Sequence, residues 1–466
     1  MFIGRKSEIE NLDNLFKSDG PEFFILYGRR RVGKTELLQQ FCKGKRAVYF
    51  LASQVKETDN LRQMKEVVSY VISDPLLETM EFNEWATALN YLAKQAEKEK
   101  LIVILDEFQY LCEENKALPS IIQKFWDMRG KNTRLMFVLC GSQISFMERE
   151  VLSEKSPLFG RRTSQQKLLP FSFLEASLFL PEYSSREKLI CYGILGGIPA
   201  YLSRFSSVKS IKQNVLKEFL QVQGYLYDEV NLLLRMELTN TAVYASILKA
   251  IASGCTRLNE IAGRIGMEAT TVNKYLHVLR ELYLVRREVS ITERTPEKSK
   301  KGLYFIDDNY VNFWFRFILP HLSLIQAGDG EIVWDRLILP QLSGYMGYIF
   351  ERICQEYVRL FWGKTYGRYV KQIGKCWHRD YDIDLIAEFV DGRYLIAECK
   401  WWQSLVGMNV LEALKEKAAC LSEKFQRDTT FVLFSLSGFT QELITQAEKE
   451  GVPLVSAEEL FEGKDG

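Results

Sequence analysis

The chain has almost no excess of charge: 61 Lys and Arg stand against 60 Asp and Glu in 466 residues, a formal net charge of +1. That balance offers no global attraction to nucleic acid or to a membrane surface, so any such contact has to be a local patch. Paired cysteines are missing as well. The nine cysteines, an odd number without a Cys-x-x-Cys pair, argue against both a disulfide framework and a zinc site. Cys42, Cys112, Cys140, Cys191 and Cys399 sit in apolar stretches and read as buried free thiols. Long apolar runs are absent: none approaches the length of a membrane span, and Met1-Phe-Ile-Gly-Arg-Lys6 has no apolar core of signal-peptide length. The expectation is a cytoplasmic protein with no membrane partner.

What remains is ordinary globular composition, 47% hydrophobic and 26% charged. The length suggests roughly three domains.

The strongest local signal is Gly28-Arg29-Arg30-Arg31-Val32-Gly33-Lys34-Thr35, which fits the phosphate-cradling pattern GxxxxGK[ST]. The apolar run Phe23–Tyr27 before it is of strand type, and Glu36–Phe41 after it carries apolar positions on one helical face. A strand feeding a glycine loop feeding a helix N-terminus aims several backbone N–H groups at one point, and the helix dipole adds positive potential there. Lys34 is expected to reach the β- and γ-phosphates of a nucleotide, with the Thr35 hydroxyl on Mg²⁺.

A second motif, Leu101-Ile-Val-Ile-Leu-Asp106-Glu107, is an apolar strand ending in two carboxylates, where ligands of open α/β sheets bind. Alone it would read as a strand ending in a solvated acidic pair. With a phosphate loop upstream, Asp106 is expected to hold Mg²⁺ through water, and Glu107 to orient or deprotonate the attacking water. A third apolar run, Leu135–Cys140, leads into Gly141-Ser142-Gln143. It resembles the strand of AAA-type ATPases that ends in a polar residue sensing the γ-phosphate, a resemblance that makes Ser142 a candidate. Phe159-Gly160-Arg161-Arg162 precedes a strand-like Gln166–Pro170. Arg161 there is either a stabiliser of the transferring phosphoryl, in cis or from a neighbouring copy in a homo-oligomer, or part of a surface arginine pair.

Phe2-Ile-Gly4-Arg5 with Glu8 and Leu12 resembles the N-terminal segment of origin-recognition-like and signalling (STAND-type) ATPases. In those proteins the segment lies near the adenine, which implies nucleotide contacts for Gly4 and Arg5. Gly196-Gly-Ile-Pro-Ala-Tyr-Leu202 resembles the GGIPxYL signature of the archaeal-type ATPase family. The likeness spans residues 1 to about 240 and implies ATP and Mg²⁺ as cofactors. Adenine rests on this resemblance, there being no Asn-Lys-x-Asp guanine reader. Larger members continue into a winged helix and a nuclease-like C-terminal domain of unknown function.

The middle of the chain has that pattern. Helical runs over 242–251, 258–265 and 269–282 precede an alternating Val285–Ile291, a basic segment Thr295–Lys301 and a second strand Leu303–Ile306. Three helices and a hairpin make a winged helix-turn-helix whose third helix would offer Thr270, Thr271, Asn273, Lys274 and His277 to a DNA major groove. Thr256 to Lys301 holds ten Lys/Arg against six Asp/Glu, a local +4 that supports double-stranded DNA as a partner. Winged helices also dock proteins, so protein partners stay open. The aromatic stretch Phe313–Phe317 reads as a packed connector in preference to a base-stacking surface.

Near the C-terminus, Gly347–Glu351 opens a helix, and Asp382–Val390 with Tyr394–Trp401 form a hairpin around Asp391-Gly392. Asp384, Glu398 and Lys400 match the D…ExK pattern of the PD-(D/E)xK nuclease superfamily, with Glu351 as the helical carboxylate that often joins them. The chemistry is consistent: carboxylate oxygens of Asp384 and Glu398 suit Mg²⁺, and lysine orients or activates water at phosphorus. A two-residue loop would set Asp384 opposite Cys399, on the wrong face; a three-residue loop or a bulge is expected to pair it with Lys400. Thr429–Ser435 and the helix after it resemble the closing β-α unit of that fold.

The whole reads as an α/β chain. A P-loop NTPase core with a parallel sheet occupies residues 1–180, a helical lid 181–240, the winged helix-turn-helix 241–306, a connector 307–342 and an α/β nuclease-like domain 343–466. The expected function is Mg²⁺-dependent ATP binding and hydrolysis that controls the winged helix and nuclease-like domain on DNA. The alternative is a STAND-type signalling switch for protein partners, with an inactive nuclease fold.

Overall fold

Apolar runs without alternation belong in strands buried on both faces, and this chain builds its first sheet from them. In the computed structural model, which describes residues 2–378, 380–426 and 428–462, these strands are β1 (Glu22–Tyr27), β2 (Ala47–Leu51), β3 (Leu101–Asp106) and β4 (Leu135–Gly141). With the polar β5 (Ser164–Lys167) at one edge they form a parallel sheet in the order β2-β3-β4-β1-β5. Phe23, Val103, Phe137 and Leu139 point from alternate strand positions into one core with Trp85, Leu89, Ile122 and Trp126, which come from the helices Trp85–Ala96 and Leu118–Met128. The rings of Phe23 and Trp126 lie 5.0 Å apart. Because Tyr27 pairs with Gly141 and Leu105 with Leu139, β1, β3 and β4 end at nearly the same level. All three run the same way, so their C-terminal ends share one sheet edge.

This sheet belongs to a unit made of Met1–Pro170 and Ile198–Ala200; the second unit is Phe171–Gly197 with Tyr201–Gly466. In the second unit the helices Thr241–Ala252, Leu258–Ile265 and Ala269–Glu281 are followed by an antiparallel pair, β6 (Val285–Glu288) and β7 (Leu303–Ile306). Tyr310, Phe313, Trp314 and Phe317 are buried in its core, and the Trp314 indole donates to the Tyr227 carbonyl at 2.6 Å. The 28-residue helix Leu339–Tyr366 leads to a mixed sheet of β8 (Val370–Trp377), β9 (Asp382–Phe389), β10 (Tyr394–Lys400), β11 (Thr429–Ser435) and β12 (Leu454–Ser456). Its order is β12-β11-β10-β9-β8, antiparallel among β8, β9 and β10 and parallel from β10 to β12. The edge strand β8 is irregular, with register shifts at Val370/Gln372 and Gly374/Cys376.

Close packing in this unit fixes a glycine. A Cβ on Gly197 would lie 2.0 Å from the Phe171 carbonyl oxygen, so no larger residue fits. Among the described residues no helix is long and apolar enough to cross a membrane.

One buried carboxyl gives the second unit a pH dependence. Burial pushes Glu356, on the helix Leu339–Tyr366, up to about 7 from an ordinary 4.5, against the pull of Arg352. Between those two values the native chain keeps a proton that the unfolded chain has lost, so stability falls as pH rises across this window. The denaturation midpoint of this unit is expected to drop from pH 4.5 towards 7, and Glu356→Gln to flatten that slope.

Candidate functional site

The loop after β1 is shaped by left-handed backbone. Arg31 stands at φ 68° and Gly33 at φ 90°, which turns successive N–H groups towards one centre. A Cβ on Gly28 would come within 2.4 Å of the Leu168 carbonyl oxygen. Lys34 opens the helix Lys34–Cys42, and its buried ammonium donates to the carbonyls of Gly28 (2.9 Å) and Arg29 (3.1 Å), closing a ring over the loop. Val32 and Arg29 are buried, while Arg30 donates to the Tyr110 hydroxyl at 2.8 Å.

Asp106 is 1% exposed at the end of β3, and its Oδ2 accepts the Thr35 hydroxyl at 3.0 Å. Tyr49, on β2, donates to the same oxygen. Burial and the Asp106 charge hold the Tyr49 phenol far above its ordinary pKa, so it stays a donor. Asp106 Oδ1 accepts the Glu107 N–H at 2.9 Å. Glu107 itself has φ 54°, a strained conformation for a residue with a side chain, of the sort found at functional turns. The Ser142 hydroxyl donates to Glu107 Oε2 at 2.6 Å, and the Gln109 amide donates to both Glu107 Oε2 and Ser142 Oγ. Thr35, Asp106, Glu107 and Ser142 are thus hydrogen-bonded in series at one edge of the sheet, with Lys34 next to Thr35 at the start of the same helix. Sequence reading missed Tyr49 and Gln109. Gln109 follows the carboxylate pair by two positions, a spacing with no meaning until the helix Phe108–Glu114 turns it back.

Two expected contributors have partners within the protein. Arg161 makes a bidentate pair with Asp127 (3.0 and 2.7 Å) and donates to the carbonyls of Pro157 and Phe159, so its guanidinium braces the chain before β5. Arg5 bonds Glu8 at 2.9 Å and reaches the carbonyls of Val32 (3.1 Å) and Leu169 (2.7 Å). Next to Gly4 at φ 70°, it buttresses the phosphate loop from behind.

In the second unit the β9–β10 loop has three residues, Val390 to Gly392, because Phe389 donates to the Arg393 carbonyl at 2.9 Å. Ala397 pairs with Leu385, and one further step brings Asp384 level with Glu398. The expected pairing with Lys400 is corrected by two residues: the third loop residue is Val390 on the β9 side and not Arg393 on the β10 side, so the register steps from Cys399 to Glu398 instead of from Cys399 to Lys400. The shared face is kept. Asp384 Oδ2 accepts the Cys399 N–H at 2.9 Å, and burial with the neighbouring Glu398 charge raises its carboxyl above the ordinary range. Glu398 Oε1 accepts Lys400 at 2.6 Å and Lys417 at 3.0 Å, while Oε2 is buried with no hydrogen-bond partner among the described residues. Glu351 does not join them, being paired with Lys375 of β8. Among the described residues no group of three His, Cys, Asp or Glu side chains is arranged to hold a metal.

On the helix Ala269–Glu281, Thr270, Asn273, Lys274 and His277 are exposed and Thr271 is half-buried. Thr270, Asn273, Arg280, Arg287, Lys300 and Lys301 line a groove of about 1440 Å³.

Residues 2–205 match a family described as an ATPase domain predominantly from Archaea, and residues 314–418 a family of archaeal and bacterial proteins of unknown function. The chain is 36% identical to the uncharacterized protein MJECL04 of Methanocaldococcus jannaschii over 405 residues, 86% of this chain and 88% of that one. It is 46% identical over 46 residues to the uncharacterized ATP-binding protein MJ0423 of the same organism, 10% of this chain and 78% of that one. Among solved structures it is similar to the Walker-type ATPase PABY2304 of Pyrococcus abyssi, with a TM-score of 0.52 at 20% identity over 68% of this chain and 96% of that one. That likeness shows a common α/β fold.

Since Arg161 is engaged by Asp127, Arg161→Ala is expected to cost about 1 kcal/mol of stability while ATP turnover stays within about twofold. A turnover assay beside a denaturant titration separates this bracing role from phosphoryl stabilisation.

Proposed function

The chain belongs to the family of ATPases found predominantly in Archaea, and from that premise we propose that it is a Mg²⁺-dependent ATP hydrolase whose nucleotide state governs a winged helix-turn-helix and a nuclease-like domain acting on double-stranded DNA. The observation that carries the reading is the hydrogen-bonded series Thr35, Asp106, Glu107 and Ser142 on one sheet edge, beside Lys34 at the start of the helix Lys34–Cys42. Lys34 exchanges its bonds to the Gly28 and Arg29 carbonyls for phosphate oxygens. Thr35 and Asp106, already sharing a hydrogen bond, fit a hard cation. Glu107 receives the proton of the attacking water, and Ser142 donates to the γ-phosphate. Mg²⁺, when bound, supplies charge neutralisation at the phosphates.

For the second unit, support comes from the exposed polar stripe of the helix Ala269–Glu281 beside the Lys300–Lys301 segment. Asp384 and Glu398 are the residues that would hold Mg²⁺ in the nuclease-like domain, and the unpartnered Glu398 Oε2 fits that use. One observation favours the other reading, a signalling switch with an inactive nuclease fold. Lys375, Lys400 and Lys417 balance Glu351, Asp384 and Glu398 charge for charge, which leaves little net attraction for a divalent cation.

ATP hydrolysis measured with and without double-stranded DNA, in wild type and Glu107→Gln, tests the proposal. Stimulation by DNA that falls off with salt and vanishes in the variant supports it; a slow rate indifferent to DNA supports the switch. Lys34→Ala weakens nucleotide binding under either reading, by about tenfold or more for the loss of one charged phosphate contact. Lys400→Ala is expected to abolish metal-dependent DNA cleavage, and an uncleaved substrate with the wild-type chain sinks the nuclease arm.

A further inference from the structure

Among the described residues, Glu107 is held through one oxygen only. Both of its side-chain hydrogen bonds, from Ser142 and from Gln109, fall on Oε2. This leaves Oε1 outside that network and available to a water molecule. The two donors differ in what else they must do. Ser142 has a single hydroxyl proton, and giving it to a γ-phosphate oxygen takes it away from Glu107. Gln109 has two amide protons, one on Glu107 Oε2 and one on Ser142 Oγ at 3.1 Å, and is free of any other duty.

Gln109 is also an unusual residue to find in this place. It is 0% exposed, and its Oε1 has no hydrogen-bond partner among the described residues. A buried carbonyl without a partner destabilises the fold, so a side chain kept for packing alone would be apolar. The strand end is shaped to admit it. A Cβ on Gly141 would sit 3.1 Å from Gln109 Oε1 and 2.5 Å from the Met147 sulfur. The opposite orientation of the amide would face its oxygen to a carboxylate, so the donor side is fixed by charge.

We propose that Gln109 is a positioning residue of the hydrolytic reaction: it fixes the Glu107 carboxylate by Oε2 and keeps it aimed at the attacking water when the Ser142 hydroxyl turns to the γ-phosphate. The proposal rests on the reading of Glu107 as the proton acceptor. It assigns Gln109 no contact with substrate, and it makes Ser142 and Glu107 one hydrogen-bonded unit.

Gln109→Met keeps the approximate shape and removes both donors and the unpartnered oxygen. The expected result is a kcat lower by about tenfold to hundredfold, an unchanged Kd for ATP by titration calorimetry, and a thermal midpoint held or raised. In the Glu107→Gln background the same substitution has no further effect, because its path of action is already gone. Wild-type kcat in Gln109→Met overturns the proposal, as does an equal loss in both backgrounds or a kcat loss tracking a lowered thermal midpoint. Should the Met variant fail to fold, Gln109→Leu, apolar and without any donor, must show the same loss of kcat at unchanged Kd. Full turnover in Glu107→Gln alone brings down the underlying reading of Glu107; normal turnover in Gln109→Met with a dead Glu107→Gln brings down only this one.

Discussion

Parallel pairing of β1, β3 and β4 is the constraint on which the nucleotide site depends. Three strands that run the same way and end level must deliver whatever follows them to one edge. The glycine loop, the Asp106–Glu107 pair and Ser142 come from sequence positions far apart, and nothing local brings them together. The ladder does, and the buried apolar residues on both faces hold the ladder in a single register. Asp106 Oδ2 then joins β2 to the arrangement through Tyr49, so four of the five strands contribute a polar group or a loop to the same place.

The second unit is organised around a different balance. Its mixed sheet buries carboxylates of Asp384 and Glu398 on β9 and β10, and ammonium groups from three separate elements come to them or to their neighbour Glu351. Bringing charge into a protein interior is unfavourable unless it is matched, and here matching is nearly complete. Glu398 Oε2 is where the match fails. Both readings of this domain meet at that one oxygen.

What the sequence made legible was whatever depends on spacing along the chain. The phosphate loop, the strand ending in Asp106 and Glu107, the order of helices and hairpin, and the side of β10 shared by Glu398 and Lys400 all follow from neighbours within a few residues. Side-chain partnership across the fold was not legible. Arg161 could be seen as an arginine near the sheet, but its partner Asp127 lies 34 positions away on the helix Leu118–Met128. Glu351 carries the right chemistry at the right place in the order of elements, yet Lys375 takes it. Lys417 and Tyr49 sit in runs that give no sign of a polar target. The hairpin shows the boundary well: alternation fixes which residues share a face, whereas the pairing itself waits on which three residues form the loop.

The irregular β8 has a consequence for self-association. An exposed edge strand with straight, unbroken pairing is a template for a strand from another copy, the first step towards aggregates. β8 departs from that template twice through its register shifts, and it carries lysines at 371 and 375 along its length. Strand-to-strand joining at this edge is thereby disfavoured, and two copies of this chain would not extend the mixed sheet through β8.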